Sequence, residues 1–168
     1  MATKYWPFTT PTTKNQNEAM AATPADNPSM LSKRLKAFVI PTTHATVDAK
    51  QHFVHQDGQT VYKFAVRKMS EISEALLASN GVLGSELGCF IPHQANKRII
   101  LSTAERLGMP EDRVIINIDR YGNTTAGTIP IAMNTALDEG RLKKGDLVLL
   151  ASVGAGFTAA ATLLRWEF

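Results

Sequence analysis

A chain of 168 residues, 44% hydrophobic and 20% charged, has room for one core and is too mixed in composition for a fibre or a wholly disordered chain. Its net charge of +3 comes from basic residues scattered among acids, which argues against a nucleic-acid partner. One cysteine excludes an internal disulfide and fits a cytoplasmic setting, no apolar run approaches the roughly 18 residues of a membrane span, and the start lacks the charged and apolar regions of a secretory signal.

Residues 1–36 are rich in Thr, Pro, Asn and Ala, show no periodicity and carry few large apolar groups, so they read as an irregular segment. An organelle transit peptide is the alternative, against which stand Glu18, Asp26 and the shortage of arginine. The domain is expected over residues 37–168. Its first run, Lys36 to Pro41, is stopped by proline and reads as a strand or a docking segment. His52 and His55 follow, and in an extended chain they would point apart, so no metal site is expected there. From Thr60 to Asn80 the residues Val61, Phe64, Ala65, Met69, Ile72, Leu76 and Leu77 recur at helical spacing, and Gly81 is placed to end that helix.

The run Leu87 to Ile91 reads as a buried strand, which makes Cys89 a structural thiol with a raised pKa rather than a nucleophile. After His93 a helical pattern runs through Ile99, Ile100, Ala104 and Leu107 to Gly108. Arg113 to Ile118 is β-branched and reads as a second strand buried on both faces. Gly127 to Leu137 then reads as a helix with Pro130 in its first turn and Gly140 beyond its end. Two final runs, Asp146 to Ala151 and Ala159 to Trp166, bracket the glycine bend Gly154-Ala155-Gly156-Phe157 and read as an antiparallel pair. Strand, helix, strand, helix, strand, strand in this order makes an α/β fold with a mixed sheet.

The chemistry concentrates at His93, in Pro92-His93-Gln94-Ala95-Asn96, and at Asn123, in Tyr121-Gly122-Asn123-Thr124. Each is expected just past a strand. At a helix N-terminus the dipole disfavours an imidazolium, so His93 should stay neutral and donate one N–H, while Asn123 donates from an amide that cannot ionise. Two neutral donors suit a developing enolate oxygen, and losing one typically costs roughly 3 kcal/mol of transition-state stabilisation. A glycine bend can also aim backbone N–H groups at an oxyanion. It is not a phosphate loop, because no Gly-Lys-Ser/Thr follows.

In order and spacing, Pro92-His93-Gln94-Ala95-Asn96, Gly122-Asn123-Thr124 and Gly154-Ala155-Gly156-Phe157 resemble the C-terminal half of a beta-ketoacyl-acyl-carrier-protein synthase III of the thiolase-like superfamily. The resemblance runs from about Thr42 to Trp166; residues 1–36 depart from it where the family supplies the first strand of this half. It implies one half of a five-layered fold, with a mixed sheet flanked by helices and incomplete relative to the two-half enzyme. It implies decarboxylative Claisen condensation of acyl-coenzyme A with malonyl-acyl carrier protein at the start of fatty-acid synthesis, in the cytoplasm and without a metal or redox cofactor. His93 and Asn123 would be catalytic, and the Ala155 backbone amide would form part of the oxyanion hole. Asn96 would line the pantetheine channel and Arg98 would meet the phosphate end of coenzyme A or the acyl carrier protein, a sensible task for a guanidinium. The partners implied are acyl carrier protein, the N-terminal half that carries the cysteine nucleophile, and a second copy of the intact enzyme. Without that cysteine the chain alone is expected to be inactive. A starter-unit enzyme of a polyketide or quinolone pathway would share every one of these residues, and a non-catalytic partner half is the remaining alternative.

Overall fold

Asp57 starts the longest helix. Its carboxylate accepts the backbone amides of Gln59 and Thr60 at 3.0 and 3.2 Å and the Thr60 hydroxyl at 2.7 Å, and these bonds, the hydroxyl foremost, hold its pKa below the usual 3.8. A computed structural model describes residues 43–51 and 57–168. A short helix α1, His44–Asp48, precedes α2, Gly58–Ser79. Strand β1, Cys89–Pro92, leads to α3, Lys97–Arg106, and then to the single-turn α4, Ile118–Tyr121. Helix α5, Thr128–Asp138, leads to β2, Leu147–Gly154, and β3, Thr158–Arg165. Helices α2, α3 and α5 are each followed by a glycine at positive φ, Gly81, Gly108 and Gly140.

The sheet has the order β1-β2-β3, with β2 parallel to β1 and antiparallel to β3. Alternation along each strand sorts its residues into two cores. Phe90, Leu149 and Ala151 face α2 and α3, where they join Ala65, Met69, Ile100 and Ala104. Cys89, Ile91 and Val148 face the other way, to Ala132, Ala136 and Trp166. Each fully buried large side chain here removes enough apolar surface to contribute about 2 kcal/mol. The layers are therefore helix, sheet, helix. Gly84, in the turn between α2 and β1, permits the closest approach, since a Cβ there would lie 1.9 Å from the Leu107 carbonyl oxygen.

The α/β class, the mixed sheet and the antiparallel final pair agree with the sequence reading, and helix ends shift by one to three residues. One expected strand is different. Within Arg113 to Ile118 only Val114 forms a bridge, parallel to Phe90, with the Ile115 amide donating to the Phe90 carbonyl at 2.9 Å. Pro92 has no N–H to extend such a ladder. Instead the Gln94 carboxamide donates to the Ile115 carbonyl at 3.0 Å and accepts the Asn117 amide at 3.0 Å, so a side chain substitutes for the neighbouring strand. The expectations for residues 1–36, for Lys36 to Pro41 and for His52 and His55 fall outside the described residues.

Candidate active site

His93 follows directly on β1, where its backbone amide continues the sheet by donating to the Ala151 carbonyl at 2.8 Å. Its ring is half-buried, and burial, which penalises the charged form, lowers its pKa below 6.5. Burial thus favours the neutral form of the ring, a different cause from the helix dipole expected from sequence. The helix does not begin at His93: α3 starts at Lys97 with Asn96 as its N-cap, so the helix dipole acts a turn further on. Nδ1 of His93 lies 2.6 Å from the Thr128 hydroxyl at the start of α5.

Asn123 sits on the turn between α4 and α5, not at the end of a strand, because the expected second strand gives way to α4. Two backbone conformations shape this turn. Gly122 has φ 66° and ψ −163°, which glycine alone adopts readily, and Thr125 has φ 51°, a strained value for a β-branched residue. In that conformation the Thr125 amide donates to Asn123 Oδ1 at 2.9 Å, while its carbonyl accepts both the amide and the hydroxyl of Thr128. With Oδ1 used in this way, Asn123 presents its Nδ2 donors. Thr125 and Thr128 thus tie Asn123 and His93 to the same turn. Asn123 itself is exposed.

Beneath these loops lies a buried polar network that sequence reasoning missed. Gln94 is 0% exposed and Asn117 1% exposed; besides the two bonds above, Gln94 donates to the Pro92 carbonyl at 2.8 Å and Asn117 Nδ2 donates to Thr135 Oγ1 at 2.9 Å. The signal was a polar residue inside each apolar neighbourhood, which at 0–1% exposure requires satisfied partners.

Asn96 and Arg98 lie on exposed surface. Asn96 Oδ1 caps α3 by accepting the Arg98 amide at 2.9 Å. The Arg98 guanidinium lies 5.3 Å from the centre of the Tyr62 ring, and the Tyr62 and Ser102 hydroxyls are 3.0 Å apart. Beside them a groove of about 460 Å³ runs between α2 and α3, lined by Lys63, Arg67, Glu105 and Arg106 among others. Neither His93 nor Asn123 lines it.

The Ala155–Phe157 turn joins β2 to β3, with Gly156 and Phe157 at positive φ, 76° and 58°. The Phe157 ring packs edge-on against Phe64 of α2 at 4.3 Å, which fixes the bend on the face shared with α3. Cys89 is buried, and burial pushes its thiol up to about 12, as a structural residue requires. Among the described residues no group of His, Cys, Asp and Glu could hold a metal, and no helix is long and apolar enough to cross a membrane.

Residues 77–166, just over half of the chain, match the family model described as 3-oxoacyl-[acyl-carrier-protein (ACP)] synthase III C terminal. A beta-ketoacyl-[acyl-carrier-protein] synthase III of Koribacter versatilis is 67% identical over 128 residues, which cover 76% of this chain and 38% of that one. One from Solibacter usitatus is 57% identical over 128 residues, covering 76% and 39%. The crystal structure of 3-oxoacyl-(acyl carrier protein) synthase III from Pseudomonas aeruginosa superposes with a TM-score of 0.70 at 34% identity, covering 78% of this chain and 39% of that one. The chain thus spans well under half the length of these relatives and carries the part that holds the histidine and asparagine words. It belongs to the 3-oxoacyl-acyl-carrier-protein synthase III C-terminal family, as a partial thiolase-like α/β unit.

Proposed function

We propose that this chain supplies the decarboxylating side of a condensing site acting on malonyl-acyl carrier protein. A cysteine outside the chain takes an acyl group from acyl-coenzyme A. His93 and Asn123 donate to the malonyl thioester oxygen, so that when carbon dioxide leaves, the electron pair is held as an enolate. Its carbon then attacks the acyl-cysteine thioester, and the Ala155 backbone amide donates to the oxyanion formed there, before the cysteine thiolate departs. Asn96 and Arg98 face the incoming carrier arm. No metal or redox cofactor takes part, and the setting is cytoplasmic, with the complete enzyme paired as a homodimer.

The observation that carries this reading is the pairing of a burial-neutralised His93 with an Asn123 whose oxygen is already occupied, both tied to the 122–128 turn. Neutral donors stabilise developing negative charge without a proton changing hands. Decarboxylation of a malonyl thioester, followed as carbon dioxide release in the enzyme that includes the cysteine-bearing part, tests it. His93→Ala and Asn123→Ala are each expected to lower the rate by ~10²–10³. Retention of the rate in both variants would refute the assignment.

A further inference from the structure

We propose that the cavity where β1 and β2 begin is a binding site for a compact phosphate-bearing anion. It measures about 400 Å³ and is lined by Arg113, Arg141, Lys143 and Arg165 together with the carboxylates Glu86 and Asp146. That volume is within the range of small-molecule sites. Gly88 precedes β1 and Leu147 begins β2 at this cavity, whereas His93 follows the far end of β1, so the two sites lie at opposite ends of the sheet. The proposal is independent of the condensing role of His93 and Asn123.

Three observations carry it. The arginines are held in place before any ligand arrives. Arg113 Nη1 donates to the Ser85 and Leu87 carbonyls at 2.8 and 3.0 Å, and Arg141 Nη2 donates to the Asp112 and Val114 carbonyls at 2.6 and 2.9 Å. Arg165 Nη1 donates to the Gly145 carbonyl at 2.8 Å. A guanidinium has five N–H donors, so each arginine keeps others for a ligand, and its planar fork matches the oxygens of a phosphate. Side chains already ordered lose less freedom on binding. Positive charge also exceeds negative in the lining. Glu86 Oε2 and Asp146 Oδ2 each accept a backbone amide at 2.7 Å, from Leu83 and Lys143. Arg141 meets Glu139 at 3.6 Å, but among the described residues no carboxylate pairs with Arg113, Lys143 or Arg165. Finally, no described lining residue is aromatic, and Leu147 is the one large apolar side chain among them. A nucleobase would find nothing to stack on, which selects a small diphosphate or a phosphorylated sugar.

Inorganic pyrophosphate is the probe, followed by titration calorimetry of the 168-residue chain at constant ionic strength. One equivalent should bind and should raise the urea midpoint. Lys143 separates binding from bracing, because among the described residues its exposed ammonium makes no hydrogen bond or ion pair. Lys143→Ala should therefore keep the midpoint measured without pyrophosphate while weakening binding about tenfold or more, and Arg165→Gln should weaken it by a similar factor. Arg67→Gln, in the groove between α2 and α3, should leave the affinity unchanged. Adenosine diphosphate should bind no more tightly than pyrophosphate. Absence of binding, wild-type affinity in both Lys143→Ala and Arg165→Gln, or a loss in Arg67→Gln instead would overturn the site. Tighter binding of adenosine diphosphate would overturn the ligand class.

Discussion

The Asn117 amide donates to Gln94 Oε1 across 3.0 Å at a point where neither residue sees solvent. Gln94 behaves there as a detached peptide group, giving and taking one hydrogen bond each with the 115–117 backbone while also holding the Pro92 carbonyl. One side chain thus links two loops, one carrying His93 and the other leading through α4 to Asn123.

Gln94→Leu should therefore be costly. It leaves the Asn117 amide and the Pro92 and Ile115 carbonyls buried without this partner, at about 1–3 kcal/mol for each group left unsatisfied. A total loss of roughly 3 kcal/mol or more is expected in urea unfolding. A loss within about 0.5 kcal/mol, the level of an ordinary surface change, would show that the clamp does not hold the loops.

The fold was largely legible because period and punctuation agreed. Val61 to Leu77 declared a helix with one buried face, Gly81, Gly108 and Gly140 marked the ends of three helices, and Asp146 to Ala151 with Ala159 to Trp166 declared an antiparallel pair around Gly154 and Gly156. Arg113 to Ile118 misled because β-branched residues report burial, not a hydrogen-bond ladder, and the ladder there ends against Pro92 and Gln94. In the candidate site, His93 and Asn123 stand out in the sequence because their words are distinctive. Thr125 and Thr128 could not, since a positive φ and a hydroxyl aimed at a ring nitrogen 35 residues away leave no local pattern.

The cause of His93 neutrality makes a prediction about pH. Its folded pKa lies below the ordinary 6.5, so as pH falls through 6.5 the unfolded chain takes up a proton before the folded one does. Stability is then lost between 6.5 and the lower folded value, and is fully present above 6.5. Urea midpoints of the wild type should fall across that window more steeply than those of His93→Gln. Parallel curves would mean that the folded and unfolded rings bind protons alike.

Cys89 tests the division of labour. With its thiol at about 12, only ~1 in 10⁵ is thiolate at neutral pH, and the ring of buried residues around it blocks approach. The folded chain should resist alkylation by iodoacetamide at rates orders of magnitude below a free thiol and should form no acyl-enzyme with acetyl-coenzyme A; urea should expose the thiol and restore alkylation. Thioester labelling at Cys89 in the folded chain would place the nucleophile within these residues.

Thr125 separates stability from geometry. A β-branched residue at φ 51° costs roughly 1–2 kcal/mol, whereas glycine at the same position costs the unfolded chain about 0.5–1 kcal/mol more entropy on folding. Thr125→Gly should therefore be neutral or stabilising by up to about 1 kcal/mol, despite removing a side chain. The same change frees the turn to leave the conformation in which the Thr125 amide grips Asn123 Oδ1 and its carbonyl meets Thr128. If the strain is what aims the Asn123 donors, malonyl decarboxylation in the complete enzyme should fall while the unfolding midpoint holds or rises. Undiminished turnover in a variant of equal stability would mean that the hydrogen bonds alone orient Asn123, with the positive φ only accompanying them.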